Sequence, residues 1–430
     1  MIPVPFRQSS QDERRFGRDV LWNLGSLVVL GTSGIVINTV IAGLRGPEAL
    51  GVFNQVFAFY IVLSQLAVGG LQFSALQQVS YHQHDLRACS RIASAALLLV
   101  AAAAAAVCMV ALTGRELAAG LLDSPQVAAG IACALPGLFL YALNKVLINV
   151  LNGLRHMRAY AVFQSLRFVF ILGSIVGLIL ADAPAERLPL ALSIGEAALF
   201  ASLVLYIHLR LFVLVPGKGT AAWFRPHLSY GLRGVLSGIV HEINTRVDVL
   251  VLGFFLDDGT VGLYSFAAVI AEGFGQIPVA VRWNVDPLIG RCFAENRRSD
   301  IEVLARRIRR AFWPAAAGIG LLAVLGYPVL LAVFLPGAGF GDSWSVFAIL
   351  VAALAFNAGW RPFMGLLLQG GRPGMHTLLV LGVAASNLLL NLLLVPVLGM
   401  RGSAVATGLA YTLEAVLISV FARRVLGVRV

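Results

Sequence analysis

The chain has 430 residues, of which 59% are hydrophobic and only 12% charged, with a net charge of +11. Its mean hydropathy is +0.86, and soluble domains carry about 25% charged residues, so a water-soluble globular domain is excluded. Nor does the basic excess indicate a nucleic-acid partner, because it is divided among short connections between apolar runs rather than gathered on a soluble face.

A bilayer core of about 30 Å needs about 20 apolar residues per helix. Twelve stretches meet that need: 19–43, 51–76, 89–112, 127–152, 159–181, 189–212, 231–256, 261–288, 311–335, 344–369, 374–397 and 402–422. They predict an all-α polytopic membrane protein with about 12 transmembrane helices. Lys and Arg fix the orientation. Alternate connections and the two tails hold 22 of them, from Arg7 to Arg429, whereas the opposite connections hold only Arg45, Arg115, Arg187 and Arg401. An even helix count then places both termini in the cytoplasm. Residues 1–18 read as a cytoplasmic tail. Arg14, Arg15 and Arg18 precede an apolar run too long for a cleavable signal.

Along the chain, the first span carries Asn38 and the fourth Asn144 and Lys145. Both asparagines suit interhelical hydrogen bonding or contact with a sugar. Arg167 lies in the fifth span and Glu196 in the sixth. Residues 213–230, with Pro216-Gly217-Lys218-Gly219 and Pro226, read as a cytoplasmic linker. They separate an N-terminal six-helix bundle (19–212) from a C-terminal one (231–430). The seventh span holds the densest polar cluster: His241, Glu242, Asn244, Thr245, Arg246 and Asp248. Glu242 and Arg246 are four residues apart and can pair on one face, or Arg246 can present its charge to a substrate. Glu272 and Gln276 share a face of the eighth span, which also carries Arg282 and ends near Asp286. Residues 299–310 alternate apolar and basic groups at helical spacing and predict an amphipathic helix held on the cytoplasmic surface by anionic membrane lipids. Arg361 lies in the tenth span and Glu414 in the twelfth.

A cation at the bilayer centre costs about 2.5–3.5 kcal/mol on insertion scales. Lys145, Arg167, Arg282 and Arg361 each sit about two turns from the cytoplasmic end of their helices. Two readings stay open for each: a basic ring lining the inner mouth of an aqueous path, or a long side chain snorkelling to the headgroups. A ring suits a diphosphate, for which Arg offers a planar fork and Lys a point charge. Glu272, Asp248 and Glu242 are deep acids able to bind a proton or Na⁺. No Walker A pattern, nucleophile elbow or metal-spaced His/Cys set occurs, so neither an enzyme nor a cofactor is expected. Cys89, Cys108, Cys133 and Cys292 lie in spans or at the cytoplasmic side and predict no disulfide framework.

The two halves repeat. Gly51-Val52-Phe53 in the first connection matches Gly262-Leu263-Tyr264 in the seventh, and Asn152-Gly153-Leu154-Arg155 matches Gln369-Gly370-Gly371-Arg372. Two matches at nearly one offset indicate a parallel duplication, and two repeated bundles imply alternating access between them.

The segments LRGPEALGVFNQVFAF (44–59) and TRVDVLVLGFFLDDGTVGLYSFAAVIAEGFGQIPVAV (245–281) resemble the polysaccharide-repeat (O-antigen type) flippase family of the multidrug/oligosaccharidyl-lipid/polysaccharide (MOP) superfamily. The resemblance implies two lobes in a V around a central cavity. It further implies a multi-pass protein of the bacterial inner membrane that turns over an oligosaccharide carried on undecaprenyl diphosphate. A polymerase of the same glycan pathway is the protein partner it suggests. On this view Arg246, Lys145, Arg167, Arg282, Arg361, His241, Asn38 and Asn144 would meet the substrate. Glu272, Asp248 and Glu242 would serve a coupling ion. The alternative is a cation-coupled multidrug exporter of the same superfamily, with those acids facing cationic drugs. The related peptidoglycan-precursor branch has an Arg-Asp pair in its first helix, and LGTSGIVINTVIAGL (30–44) has none.

Overall fold

The computed structural model describes residues 10–430, with the side chains of 10–24, 27–28, 119 and 232–241 outside the description. All regular structure among them is helical. The helices are α1 (Ser10–Val68), α2 (Leu71–Tyr81), α3 (Leu86–Leu122), α4 (Pro125–Gly153), α5 (Met157–Leu180) and α6 (Leu190–Arg210) in the first half of the chain. The second half contributes α7 (Phe224–Phe255), α8 (Asp258–Ala294), α9 (Arg298–Phe334), α10 (Ser343–Asn357), α11 (Leu366–Gln369), α12 (Pro373–Leu398) and α13 (Met400–Phe421).

Ten helical segments among the described residues are long and apolar enough to cross a membrane. The first, Val29–Val68, contains two expected spans, because Gly46 (φ 81°, ψ −177°) breaks α1 in its middle. Pro47 opens the second arm, where a missing N–H costs nothing. Helix α7 is long enough to cross as well, but its polar cluster lowers its hydropathy. With that arm and α7, the count reaches the twelve expected spans.

Three elements depart from their expected form. The second span does not run unbroken to residue 76, since Gly69 and Gly70 adopt positive φ and start α2 anew. The tenth span breaks after Asn357 into a turn with a short 3₁₀ segment, Arg361–Phe363, before α11. Pro362 cannot donate a helical hydrogen bond, and Gly359 and Gly365 flank it. The amphipathic stretch 299–310 is not a separate surface helix but the first third of α9. Ile301 and Ala305 on its apolar face are buried with Val428 and Val430 of the C-terminal segment.

Burial is distributed unevenly. One large apolar cluster joins both halves of the chain at the arginine-poor end and includes Leu50, Val56, Leu138, Tyr264, Phe266 and Phe347. Toward the arginine-rich end the core splits. Val79, Ile92 and Val146 pack in one cluster of the first half, while Val285, Ile289 and Leu379 pack in another of the second. The halves are thus fused at one end of the membrane and separately cored at the other.

Candidate functional site

The fused end is held by backbone contact. Gly51 of α1 and Gly262 of α8 face each other so closely that a Cβ on Gly51 would overlap the carbonyl oxygen of Asp258, and one on Gly262 that of Pro47. Only glycine permits this approach. Asp257 caps α8 by accepting from the Thr260 amide at 2.9 Å. Burial raises its pKa, but the Thr260 hydroxyl and amide outweigh that and hold it below the usual carboxylate value. The neighbouring Asp258 is therefore free to reach the other half. Its Oδ1 accepts from Gln55 Nε2 at 2.5 Å and its Oδ2 from Ser124 Oγ at 2.7 Å. Sequence reasoning missed this latch; its one signal was the doubled acid Asp257-Asp258, of which a helix cap needs only one.

Between the fused end and the arginine-rich end lie three polar groups. In the first half, Arg167 Nε pairs with Glu196 Oε1 at 2.8 Å, and Asn144 Nδ2 donates to Glu196 Oε2 at 2.8 Å. Both charges are almost wholly buried, at 9% and 1% side-chain exposure, so Glu196 neutralises Arg167. The Tyr141 ring gathers both expected cations of this half, with Arg167 4.5 Å and Lys145 4.8 Å from its centroid. Tyr141 also meets Tyr60, which continues a row of rings through Phe57 to Phe53.

In the second half, Asp248 is a hub. It accepts from Tyr264 (2.7 Å), Thr407 (2.8 Å), Asn387 (3.2 Å) and Asn391 (3.4 Å), which come from α8, α12 and α13. Ser403 completes the net by donating to Asn391 Oδ1 at 2.7 Å. Asn387 and Asn391 are thus partners of a half-buried acid.

The third group surrounds the break after α10. Arg361 lies 5.2 Å over the Tyr411 ring, and Asn357 Nδ2 donates to Glu414 Oε2 at 2.8 Å. Nearer the arginine-rich end, Asp286 lies 3.9 Å from Arg282 and packs on Gly365, where a Cβ would overlap its carboxylate.

Helix α7 joins the halves across the middle. Its Arg246 sits 5.3 Å over the Phe57 ring of α1. Glu242 accepts from Gln65 Nε2 at 2.8 Å, and no Glu242–Arg246 ion pair forms among the described residues. Glu272 of α8 is exposed, yet it lies within electrostatic reach of Arg246, Asp248 and Arg361. It is thus an exposed acid that feels both arginines and Asp248. Asn38 is 5% exposed and engaged by Asn54 at 2.8 Å and by the Gly34 carbonyl. The His241 side chain lies outside the described residues. A separate hollow of about 430 Å³ beside Pro328, Leu335 and Trp344 lies at the arginine-poor end of α9 and α10.

A family model described as polysaccharide biosynthesis protein matches residues 16–273, more than half of the chain. The chain belongs to the polysaccharide biosynthesis protein family. Within that family the fold is that of MOP-superfamily transporters. The lipid II flippase MurJ in an inward closed conformation superposes with a TM-score of 0.75 at 15% identity, covering 94% of this chain and 87% of MurJ. An inward-facing multidrug resistance MATE transporter of the MOP superfamily gives 0.74 at 14% identity, covering 94% of each chain. In sequence, the chain is 25% identical over 200 residues to the probable flippase AglR of Haloferax volcanii. That match takes in 44% of this chain and 40% of the relative, so it spans less than half of the relative's length.

Proposed function

We propose that this family member is a flippase that carries an oligosaccharide on undecaprenyl diphosphate from the cytoplasmic to the periplasmic face of the bacterial inner membrane. The observation that carries the reading is the pair of membrane cations from two helices, Arg246 over the Phe57 ring and Arg361 over the Tyr411 ring, both within electrostatic reach of the exposed Glu272. The Arg246 Nε and Arg361 Nη1 atoms are buried without a hydrogen-bond partner, leaving donors for phosphate oxygens. The excess of arginine at the separately cored end orients that end, and both termini, to the cytoplasm. A lipid-borne diphosphate would enter there and pass between an N-terminal bundle (19–212) and a C-terminal bundle (231–430), with 213–230 as linker.

Lys145, Arg246, Arg282 and Arg361 meet the diphosphate in this scheme. Arg167 acts through the field of its pair with Glu196, and Asn144 holds that pair. Moving two negative charges outward through the full membrane potential releases about 4–5 kcal/mol per 100 mV. A proton or Na⁺ on Asp248 or Glu272 would reset the empty carrier, and a polymerase of the glycan pathway would take the product. An exporter of cationic drugs would instead need an acid free of competing charge, and the two arginines beside Glu272 disfavour it.

The test is genetic and chemical. Depletion in the native cell should remove the surface glycan and accumulate the lipid-linked saccharide on the cytoplasmic leaflet. Accumulation on the periplasmic leaflet instead would overturn the direction. Unchanged glycan together with drug hypersensitivity would establish the exporter.

A further inference from the structure

The diphosphate reading leaves one exposed face unused. On α8, Glu272, Gln276 and Trp283 are all exposed. At about 100° per residue their side chains leave the helix within about 40° of one another, along roughly 16 Å of its length. A neighbouring side of α8, about 120° round the helix, is packed. Ala271, Gly275, Val285 and Ile289 are buried, and Gly275 and Gly290 abut Leu354 of α10 and Gln369 of α11. The deep end of the exposed stripe is Glu272, which lies within electrostatic reach of Arg246 and Arg361. From there the stripe runs toward the arginine-rich end, so its wall is continuous with the cation site.

Trp283 is the informative member. It is 47% exposed, and among the described residues no ring or cation stacks on it, whereas Phe57, Tyr141, Trp360 and Tyr411 each carry a cation. A bare indole face, a primary amide and a carboxylate in a row form a chemical set. The indole stacks on the apolar C–H face of a pyranose ring. The planar Gln and Glu groups take the ring hydroxyls as paired donors and acceptors. A lipid tail would have no use for the amide and carboxylate.

We propose that Glu272, Gln276 and Trp283 form a saccharide platform, which holds the sugar next to the diphosphate while the arginines hold the diphosphate itself. The proposal rests on the lipid-linked saccharide reading above. It assigns Glu272 to sugar hydroxyls, with its ion-coupling role as the rival.

The experiment measures binding of two probes to the purified full-length protein in nanodiscs: undecaprenyl diphosphate alone, and the same lipid bearing one hexose, with N-acetylglucosamine, glucose and galactose tried in turn. Wild type should bind at least one sugar-bearing lipid more tightly than the bare lipid. Trp283→Ala should lose about five- to tenfold for that lipid, and under twofold for the bare one. Trp283→Phe should restore part of the loss, and Gln276→Ala should lose affinity in the same selective way. An indole that merely anchors the protein at the membrane surface would lower thermal stability and leave the ratio between the probes at its wild-type value. That result would overturn the platform, as would a wild type that does not distinguish the probes. Failure of wild type to bind either lipid would instead overturn the flippase reading on which the platform rests.

Discussion

The most consequential residue is Arg167, because its chemistry differs from that of the other membrane cations. Lys145, Arg246 and Arg361 rest on aromatic rings without an ion pair among the described residues, whereas Arg167, also on a ring, is paired with the buried Glu196. A buried charge stripped of its partner costs about 3–5 kcal/mol. Arg167→Ala should therefore lower the denaturation midpoint of the detergent-solubilised protein sharply, and adding Glu196→Gln should recover much of the loss. A single variant with wild-type stability and no transport would make Arg167 a direct substrate contact. Arg246→Gln should show the reverse pattern, with stability kept and transport reduced by about tenfold or more, checked by flux per folded molecule. The sequence marked these cations by their depth alone. It could not tell spent from available charge, because Glu196 lies 29 residues from Arg167 and meets it only through the packing of α5 against α6.

At the scale of elements, hydropathy and arginine placement located all twelve spans, since both are averages over about 20 residues. The break at Gly46 falls in the expected first connection, but those at Gly69-Gly70 and 358–365 were not legible, because a positive φ or a lost helical hydrogen bond leaves hydropathy unchanged. The last break matters most for function. It turns Arg361 toward Tyr411 while Trp360 stacks outward against Trp313, 5.5 Å away between centroids. An unbroken helix would hold adjacent side chains about 100° apart at fixed height. Gly365 permits the Asp286 carboxylate to lie against the backbone of this segment. Gly365→Ala should displace Asp286 and destabilise the fold by about 1–3 kcal/mol. Gly371→Ala, two residues after the short helix α11 and with nothing within 4 Å, gives a comparison in which crowding is absent and only its positive φ is penalised. Equal losses in the two variants would remove packing on Asp286 as the cause.

For the whole molecule, the fused arginine-poor end and the separately cored arginine-rich end would be one of the two states of the alternating access proposed above. The latch should be what holds it. Asp258→Ala removes the acceptor for both Gln55 and Ser124, and should raise thiol labelling of a cysteine placed at position 48 from the outer side. A disulfide between cysteines at 55 and 258 should arrest transport and reductant should restore it. Transport unaffected by that cross-link would mean that the fused end never opens. The measurement that reaches the central claim most directly is flux in proteoliposomes. Fluorescently tagged undecaprenyl-diphosphate saccharide is loaded into both leaflets, and a membrane-impermeant quencher reads the outward-facing fraction over time at zero and at imposed potential. The account predicts protein-dependent exchange, faster when the arginine-rich side is negative and slower by about tenfold or more in Arg246→Gln and Arg361→Gln. Exchange no faster than in protein-free liposomes, or exchange indifferent to both arginines, would contradict it.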